Sequence, residues 1–483
     1  MDHDGLSILD AIREPGVATQ PALIEDGRVT SFGALAAHVE RVASSFVAQG
    51  LGPGCRAALR ATCDAGTVVT LLALIELGVA LVPLHPRLTD AEVRVITEDA
   101  RPDLQISPFI LSDNLPKSGS FPRTTSDPST PLAILFTSGT TGRPKGAVLS
   151  RGAFAASAAA SAKNLGWTPD DRWLACMPLA HVGGLSIVTR CIAARRPIVL
   201  EPRFDPDAVL RVIRRERVTL LSVVPTMLRA LFDADRDGTL ATLRLVLVGG
   251  AGAPPALLEE AAARRVLALT TYGLTEGCSQ VTCQPLRAPG ITEPGSGKAL
   301  PGVDVRTLRD TGTLADPGEV GHIQVRGPTL MSGYLAGPGE PLRTSLTADG
   351  FFDTGDLGAL DEHGRLFVHA RRTDLVVTGG ENVYPAEVEQ VLEALPGVTR
   401  AVVFGVPDER WGQIVAAGLA LDPPDPARAA ALVAEASARL APHKRPRLVA
   451  AVPSLPLTAS GKLDRARAVR ELSLRLSPVP RRP

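Results

Sequence analysis

The sequence predicts an α/β protein. It has a large N-terminal domain of mixed sheets with flanking helices and a β-rich part, then a small α+β domain. Short β-branched runs bounded by turn residues alternate with helical segments through most of the chain. The 45 glycines and 41 prolines are widely spread and punctuate many short elements. Near residue 370 a β-rich region closes and a strand–helix–strand pattern restarts, which sets the domains at 1–372 and 373–483.

Taken in order, the apolar stretch 68–84 (VVTLLALIELGVALVPL) reads as a helix, a turn and a strand. Glu76, Gly78 and Pro83 interrupt it, so it is no membrane span. LAILF (132–136) reads as a buried strand, and AVLS (147–150) as another extended run. The Ala-rich segments 153–163 and 427–440 read as helices, because alanine loses almost no entropy there. Residues 217–224, 244–248 and 321–326 read as strands. Residues 351–369 read as strands around a tight D-E-H-G turn. The small domain restarts as strand (LVVTGG), helix (PAEVEQVLEAL) and strand (TRAVVFGV). Pro423, Pro424 and Pro426 mark a loop, and the terminal SPVPRRP reads as a frayed tail.

Lys+Arg and Asp+Glu are both 51, a formal net charge of +0. Such a chain has no global attraction for nucleic acid or an anionic membrane. The basic runs 443–447 and 480–482 read as solvated surface. The six cysteines form no C-x-x-C pair and do not cluster with histidine, so neither a disulfide framework nor a zinc site is indicated. The N-terminus MDHDGLSILD is acidic and lacks the apolar core of a secretory signal. The expectation is a cytoplasmic protein that acts on small molecules.

Residues 135–150, LFTSGTTGRPKGAVLS, follow the LAILF strand with glycines, hydroxyls and two cations. Backbone N–H groups of a Gly-rich turn converge on an anion, and hydroxyls add donors. Thr137, Ser138, Gly139, Thr140, Thr141, Gly142 and Lys145 are therefore candidate phosphate contacts. The P-loop spacing fails: counted from Gly139, the required glycine falls on Pro144, and no Ser or Thr follows Lys145. The loop also leads into an extended run rather than a helix.

Five stretches follow one another: TSGTTGRPKG (137–146), TYGLTE (271–276), FFDTGD (351–356), RRTDLVVTGGENVYPAEVE (371–389) and SGKLDR (460–465). Together they resemble the acyl-adenylate-forming superfamily of acyl- and aryl-CoA ligases, luciferases and peptide-synthetase adenylation domains. The resemblance covers nearly the whole chain. It implies an enzyme in which a carboxylate attacks the α-phosphorus of ATP, giving an acyl-adenylate and pyrophosphate, after which a thiol displaces AMP. ATP, Mg2+ and coenzyme A follow from it, with a small C-terminal domain that swings between the steps.

Residue by residue, the resemblance assigns the 137–145 loop to the β- and γ-phosphates. Glu276 becomes the magnesium ligand and Thr275 the α-phosphate contact. Gly250, Ala251, Gly252, Thr271, Tyr272 and Gly273 become adenine-binding surfaces. Asp356 accepts the ribose hydroxyls, a task that suits a two-oxygen acceptor, and Arg371 makes a second ribose or phosphate contact. Lys462 bridges the substrate carboxylate and the α-phosphate. Thr373 is the hinge, where many relatives place Asp or Lys, and Ala370 stands where glycine is usual. Gly379, Gly380 and Glu381 line the thiol tunnel after the swing.

The stretch CMPLAHVGGLSIVTR (176–190) bears on the acid. His181 matches the family's gate histidine beside the acyl pocket. This spacing, with RRTDLVVTGGENVYPAEVE, most resembles the o-succinylbenzoate–CoA ligases of menaquinone synthesis. Such an acid has two carboxylates, one activated and one that needs a cation or several donors. Arg190, on the helix expected after His181, suits that second carboxylate, and Ser279, Gln280 and Thr282 are nearby donors. Ligation of another aryl or short- to medium-chain acid, or stand-alone loading of a carrier protein, remains the alternative. Lys444 and Arg445 are candidates for the CoA phosphates, and a homodimer stays open.

Overall fold

The computed structural model describes residues 11–14, 16–106, 127–137, 144–337, 340–458 and 462–480. The α/β architecture expected from the sequence is present. Its backbone is a nine-stranded sheet in the order 298–299, 279–283, 268–274, 245–248, 220–223, 173–175, 198–200, 21–25, 28–31. The six strands from Ala268–Leu274 to Pro21–Glu25 run parallel, and antiparallel strands close both edges. Parallel strands are covered on both faces and read as continuous apolar runs. Leu245–Val248 (LVLV) and Leu220–Val223 (LLSV) are buried at every position.

A second, six-stranded sheet holds Pro131–Thr137, Lys145–Ser150, Ala80–Leu84, Arg56–Arg60, Leu104–Ile106 and Gly333–Tyr334. The helix Ala65–Glu76 is buried along its entire length, as a segment apolar on every side requires, and it carries Thr67, Thr70 and Glu76 inside with it. Buried Glu76 lies beside Arg151, which supplies a charge of opposite sign. A four-stranded antiparallel sheet, 304–308, 321–326, 352–360 and 366–371, forms the β-rich part.

Among the described residues, no sheet runs across the turn Arg372–Asp374. Beyond it lies a six-stranded sheet built on the long hairpin of Val398–Asp408 and Gly412–Leu421. Alternate residues of these strands feed two separate cores. Ala401, Val403, Ala417 and Leu419 face one, and Val402, Phe404, Ala416 and Ala420 face the other. The helices Pro385–Glu393 and Pro426–Ala436 belong to the first core and Arg465–Ser473 to the second.

Two expectations are corrected. Residues 217–219 are not strand: Arg217 has φ +51 and ends the helix Pro206–Glu216, so the strand starts at Leu220. The tail is not wholly frayed. Ser477–Pro478 pairs with the edge of Leu448–Val452, and Ser477 Oγ donates to the Val449 carbonyl. Among the described residues, no helix is long and apolar enough to cross a membrane.

Candidate active site

The site forms where chain segments leave the carboxyl ends of neighbouring parallel strands, the usual position for a ligand crevice in an open α/β sheet. After Leu245–Val248 comes the turn with Gly250, whose φ of +78 favours glycine. After Ala268–Leu274 comes the short 3-10 turn Thr275–Gly277 with Thr275 and Glu276. After Trp173–Ala175 the chain reaches His181, at the start of the helix Val182–Ala194. The second sheet contributes Thr137 and Lys145, paired at the ends of antiparallel strands, and His85, one residue past the strand Ala80–Leu84. Ser138, Gly139, Thr140, Thr141 and Gly142 lie outside the described residues.

Lys462 reaches this crevice from the small unit. Its Cε lies 2.7 Å, and its Nζ 3.2 Å, from where a Cβ on Gly250 would stand. Any side chain at 250 would displace it. Water still reaches part of Lys462, yet the surrounding protein, aided by Arg371 and opposed by Asp356, pulls its ammonium below the ordinary lysine range. Ala251 and Gly252 are exposed in the same turn.

Asp356 and Arg371 are cross-strand partners in the four-stranded sheet. Arg371 Nε lies 3.3 Å from Asp356 Oδ1, and Tyr272 Oη donates to Asp356 Oδ2 at 2.7 Å. Burial holds the Asp356 carboxyl above the usual aspartate range, although the Tyr272 hydrogen bond and Arg371 act the other way. Gly273 is required by close approach: a Cβ there would stand 1.8 Å from the Ser279 carbonyl oxygen. Thr271 is held within the sheet, its Oγ1 donating to the Thr282 carbonyl at 2.6 Å. Buried Thr282 is likewise engaged, with the Ser296 carbonyl.

Glu276 Oε1 accepts from Tyr334 Oη at 2.7 Å. Among the described residues, no three His, Cys, Asp or Glu side chains gather as a metal cage. One carboxylate in an open crevice fits Mg2+, which keeps its waters and binds chiefly through one or two carboxylates and substrate phosphates.

His181 and His85 face each other with ring centres 5.6 Å apart. Burial pushes His181 down to about 4, with His85 and Lys462 adding to it, so the ring is neutral at pH 7. Its buried Nε2 has no hydrogen-bond partner. His85 Nδ1 accepts from the Arg87 amide at 3.0 Å.

Arg190 is 4% exposed, on the same helix as His181. Its Nη2 donates to Ser279 Oγ at 3.3 Å, its Nε is unpartnered, and its guanidinium lies 5.8 Å from the Trp173 ring centre. Burial lowers it only to about 10, so it stays charged at pH 7. Its ionisable neighbours are Cys278, Cys283 and Cys191, thiols that burial raises and keeps neutral. Among the described residues, no carboxylate pairs with it. Ser279 has φ +88 and Cys278 φ +53, a kink that turns the Ser279 hydroxyl toward Arg190.

Gly379 and Gly380 form the two-residue turn of the hairpin Val376–Thr378/Glu381–Val383, both with positive φ. This hairpin is bonded to its own sheet, through Gly379 N to the Trp411 carbonyl and Val377 N to Gln413 Oε1. Among the described residues, no hydrogen bond or ion pair joins it to Lys462. Lys444 is engaged by both oxygens of Glu387 at 2.6 and 2.8 Å, so its ammonium does not stand free for a CoA phosphate, whereas Arg445 is exposed and only its Nε is engaged, by the Leu440 carbonyl.

The AMP-binding enzyme family matches residues 15–335, and the C-terminal domain of AMP-binding enzymes matches residues 387–462. The chain belongs to the AMP-binding enzyme family. It is 38% identical to a 2-succinylbenzoate–CoA ligase of Bacillus licheniformis, over 92% of this chain and 95% of that one. It is 34% identical to an indoleacetate–CoA ligase of Aromatoleum aromaticum, over 96% of each. Among solved AMP-binding enzymes, it resembles o-succinylbenzoate coenzyme A synthetase (MenE) from Bacillus subtilis at 32% identity. With ATP and magnesium bound, that enzyme superposes with a TM-score of 0.86 over 95% of this chain and 98% of the other. In complex with the acyl-adenylate intermediate OSB-AMP, the score is 0.83 over 95% and 97%.

Two side chains at the site were not singled out from sequence. His85 follows a buried apolar strand directly as a polar residue, a signal the sequence does carry. Tyr334 is one of only three tyrosines and follows a glycine in MSGYL.

Proposed function

We propose that this chain is an ATP- and magnesium-dependent acid–CoA ligase that works through an acyl-adenylate, and that its acid is o-succinylbenzoate. The acid assignment rests on Arg190. A buried guanidinium without a carboxylate is unfavourable by several kcal/mol, roughly. A dicarboxylic substrate supplies the missing countercharge while its other carboxylate reacts. The names of the relatives support the same acid.

The carboxylate oxygen attacks the α-phosphorus and pyrophosphate leaves. Lys462 neutralises charge on the attacking carboxylate and the α-phosphate. Its approach to Gly250 supports this role in the first step. Asp356, oriented by Tyr272 and Arg371, accepts the ribose hydroxyls. The turn at Gly250, Ala251 and Gly252, with Thr271, Tyr272 and Gly273, borders the adenine, and Thr275 meets the α-phosphate. Thr137 and Lys145 hold the outer phosphates. Mg2+, held by Glu276, neutralises phosphate charge. Neutral His181 gates the acyl pocket, and the CoA thiol enters after the small domain swings.

The domains are 1–372 and 373–483, with Thr373 as hinge. Arg372 pairs with Asp353 on one side and Asp374 with Arg465 on the other, at 3.2 and 3.3 Å. Thr373 is thus the residue between two anchored neighbours. After the swing, the Gly379–Gly380–Glu381 turn lines the thiol path.

Acid-dependent ATP–pyrophosphate exchange tests this reading. o-Succinylbenzoate is expected to exceed benzoate, anthranilate and indoleacetate in kcat/KM by about a hundredfold or more. Equal exchange with the mono-acids would reject the acid and leave adenylation standing.

A further inference from the structure

We infer that Tyr334 is a positioning residue for adenylation: it stands between Lys145 and Glu276 and keeps both aimed at the nucleotide and its cation. The inference rests on the proposed roles of those two residues. Tyr334 Oη donates to Glu276 Oε1 at 2.7 Å, while Lys145 Nζ lies 5.7 Å from the centre of the tyrosine ring. The backbone around it ties the same two places together. Met331 N donates to the Glu276 carbonyl, Ser332 N to the Val148 carbonyl and Leu335 N to the Gly146 carbonyl, each at 2.8 Å. Gly333 and Tyr334 pair with Val148 and Ala147, on the strand that begins at Lys145. On its other side, Tyr334 exchanges both backbone hydrogen bonds with Arg343 at 2.9 Å. The main chain that carries the ring is therefore fixed on both sides.

An ammonium and a carboxylate in one crevice attract each other and, left alone, close into an ion pair. Such a pair would occupy the groups needed for phosphate and cation. The phenol prevents this on both sides. As a donor it takes one carboxylate oxygen and sets the rotamer, leaving the second oxygen for a ligand. As a ring face it attracts the ammonium without neutralising it, so Lys145 transfers readily to a phosphate.

Tyr334→Phe removes only the donor, and Tyr334→Leu removes donor and ring. We would measure Mn2+ binding by electron paramagnetic resonance with an ATP analogue whose α–β bridge is methylene. The Mg2+ dependence of pyrophosphate exchange, and thioester formation from supplied acyl-adenylate, complete the set. Tyr334→Phe is expected to weaken Mn2+ binding and raise the half-saturating Mg2+ by about tenfold, the effect of one hydrogen bond to a carboxylate. Thioester formation should stay within about twofold, since a general folding defect would lower both halves. Tyr334→Leu should also raise KM for ATP. A wild-type metal response in Tyr334→Phe, or equal loss in both half-reactions, would overturn the inference. Glu276→Gln separates the two layers. If it binds Mn2+ like wild type, the reading of Glu276 fails and takes the inference with it. If it loses Mn2+ while Tyr334→Phe does not, only the inference fails.

Discussion

Replacing Arg190 with methionine should produce two effects of opposite sign. Arg190 is 4% exposed, and among the described residues its side chain donates to Ser279 Oγ at 3.3 Å. Without an acid bound, it is a buried charge with no counterion among the described residues. An apolar side chain of similar length removes that penalty, and comparable replacements stabilise by about 1–4 kcal/mol. With the acid bound, the same change removes two charge-assisted hydrogen bonds to the free carboxylate, each about 1.5–3 kcal/mol. The sum corresponds to a loss of ~10²–10⁴ in kcat/KM for the diacid. The assay pairs a thermal melt with kcat/KM for o-succinylbenzoate and for its two mono-acid analogues, each lacking one carboxylate. The variant should melt higher than wild type without ligand. It should treat the diacid no better than the analogue that keeps only the activated carboxylate. Added o-succinylbenzoate should raise the melting temperature of wild type and not of the variant. A lower melting temperature without ligand, or an unchanged preference for the diacid, would refute the reasoning.

Four other outcomes follow from the geometry. Lys462→Ala should lower acid-dependent pyrophosphate exchange by about 10²–10³ and leave thioester formation from supplied adenylate nearly intact; equal loss of both halves would contradict its role. The Lys462 ammonium is pulled down by burial, so its charge is present at low pH and lost as pH rises through a pKa below 10.5. The alkaline limb of kcat/KM for adenylation should therefore fall early, and Lys462→Arg, which stays charged, should shift that limb upward. Gly273→Ala would put a Cβ 1.8 Å from the Ser279 carbonyl oxygen; overpacking of this kind destabilises by about 1–3 kcal/mol, and a wild-type melting temperature would show that the kink yields freely. Thr373→Pro fixes φ at the hinge and should spare pyrophosphate exchange while suppressing thioester formation; if both survive, the rotation lies elsewhere.

What could be read in the sequence was mostly local. The strand Pro131–Thr137 showed as an unbroken apolar run, and the helix Arg151–Leu165 as an alanine-rich segment. In the small unit, the strand Val376–Thr378 showed as a β-branched run ending in GG, while its partner Glu381–Val383 did not show as a strand. The residues brought to the crevice were named from the family's motifs, each carried by its own short stretch. What escaped depends on contacts between distant segments. Tyr334 meets Glu276 across 58 positions of sequence. The tilted contact of His85 with His181 brings the residue after the strand Ala80–Leu84 to the start of the helix Val182–Ala194. That Arg190 has no carboxylate partner among the described residues is a property of its surroundings, and spacing cannot show it. Lys444 looked available for a phosphate because Glu387, its partner, is 57 residues away. The strand at Ser477–Pro478 depends on the edge offered by Leu448–Val452, which a proline-rich tail gives no sign of meeting.

The most direct measurement is CoA thioester formation with ATP and Mg2+ over o-succinylbenzoate, its two mono-acid analogues, benzoate, anthranilate, indoleacetate and a medium-chain fatty acid, with the product identified by mass. The account predicts o-succinylbenzoyl-CoA, with AMP and pyrophosphate in equal amounts, and a strong preference for the diacid that Arg190→Met abolishes. A thioester formed equally well from a mono-acid would contradict the assignment of the acid. Release of pyrophosphate with the diacid but no CoA ester would contradict the assignment of the thiol.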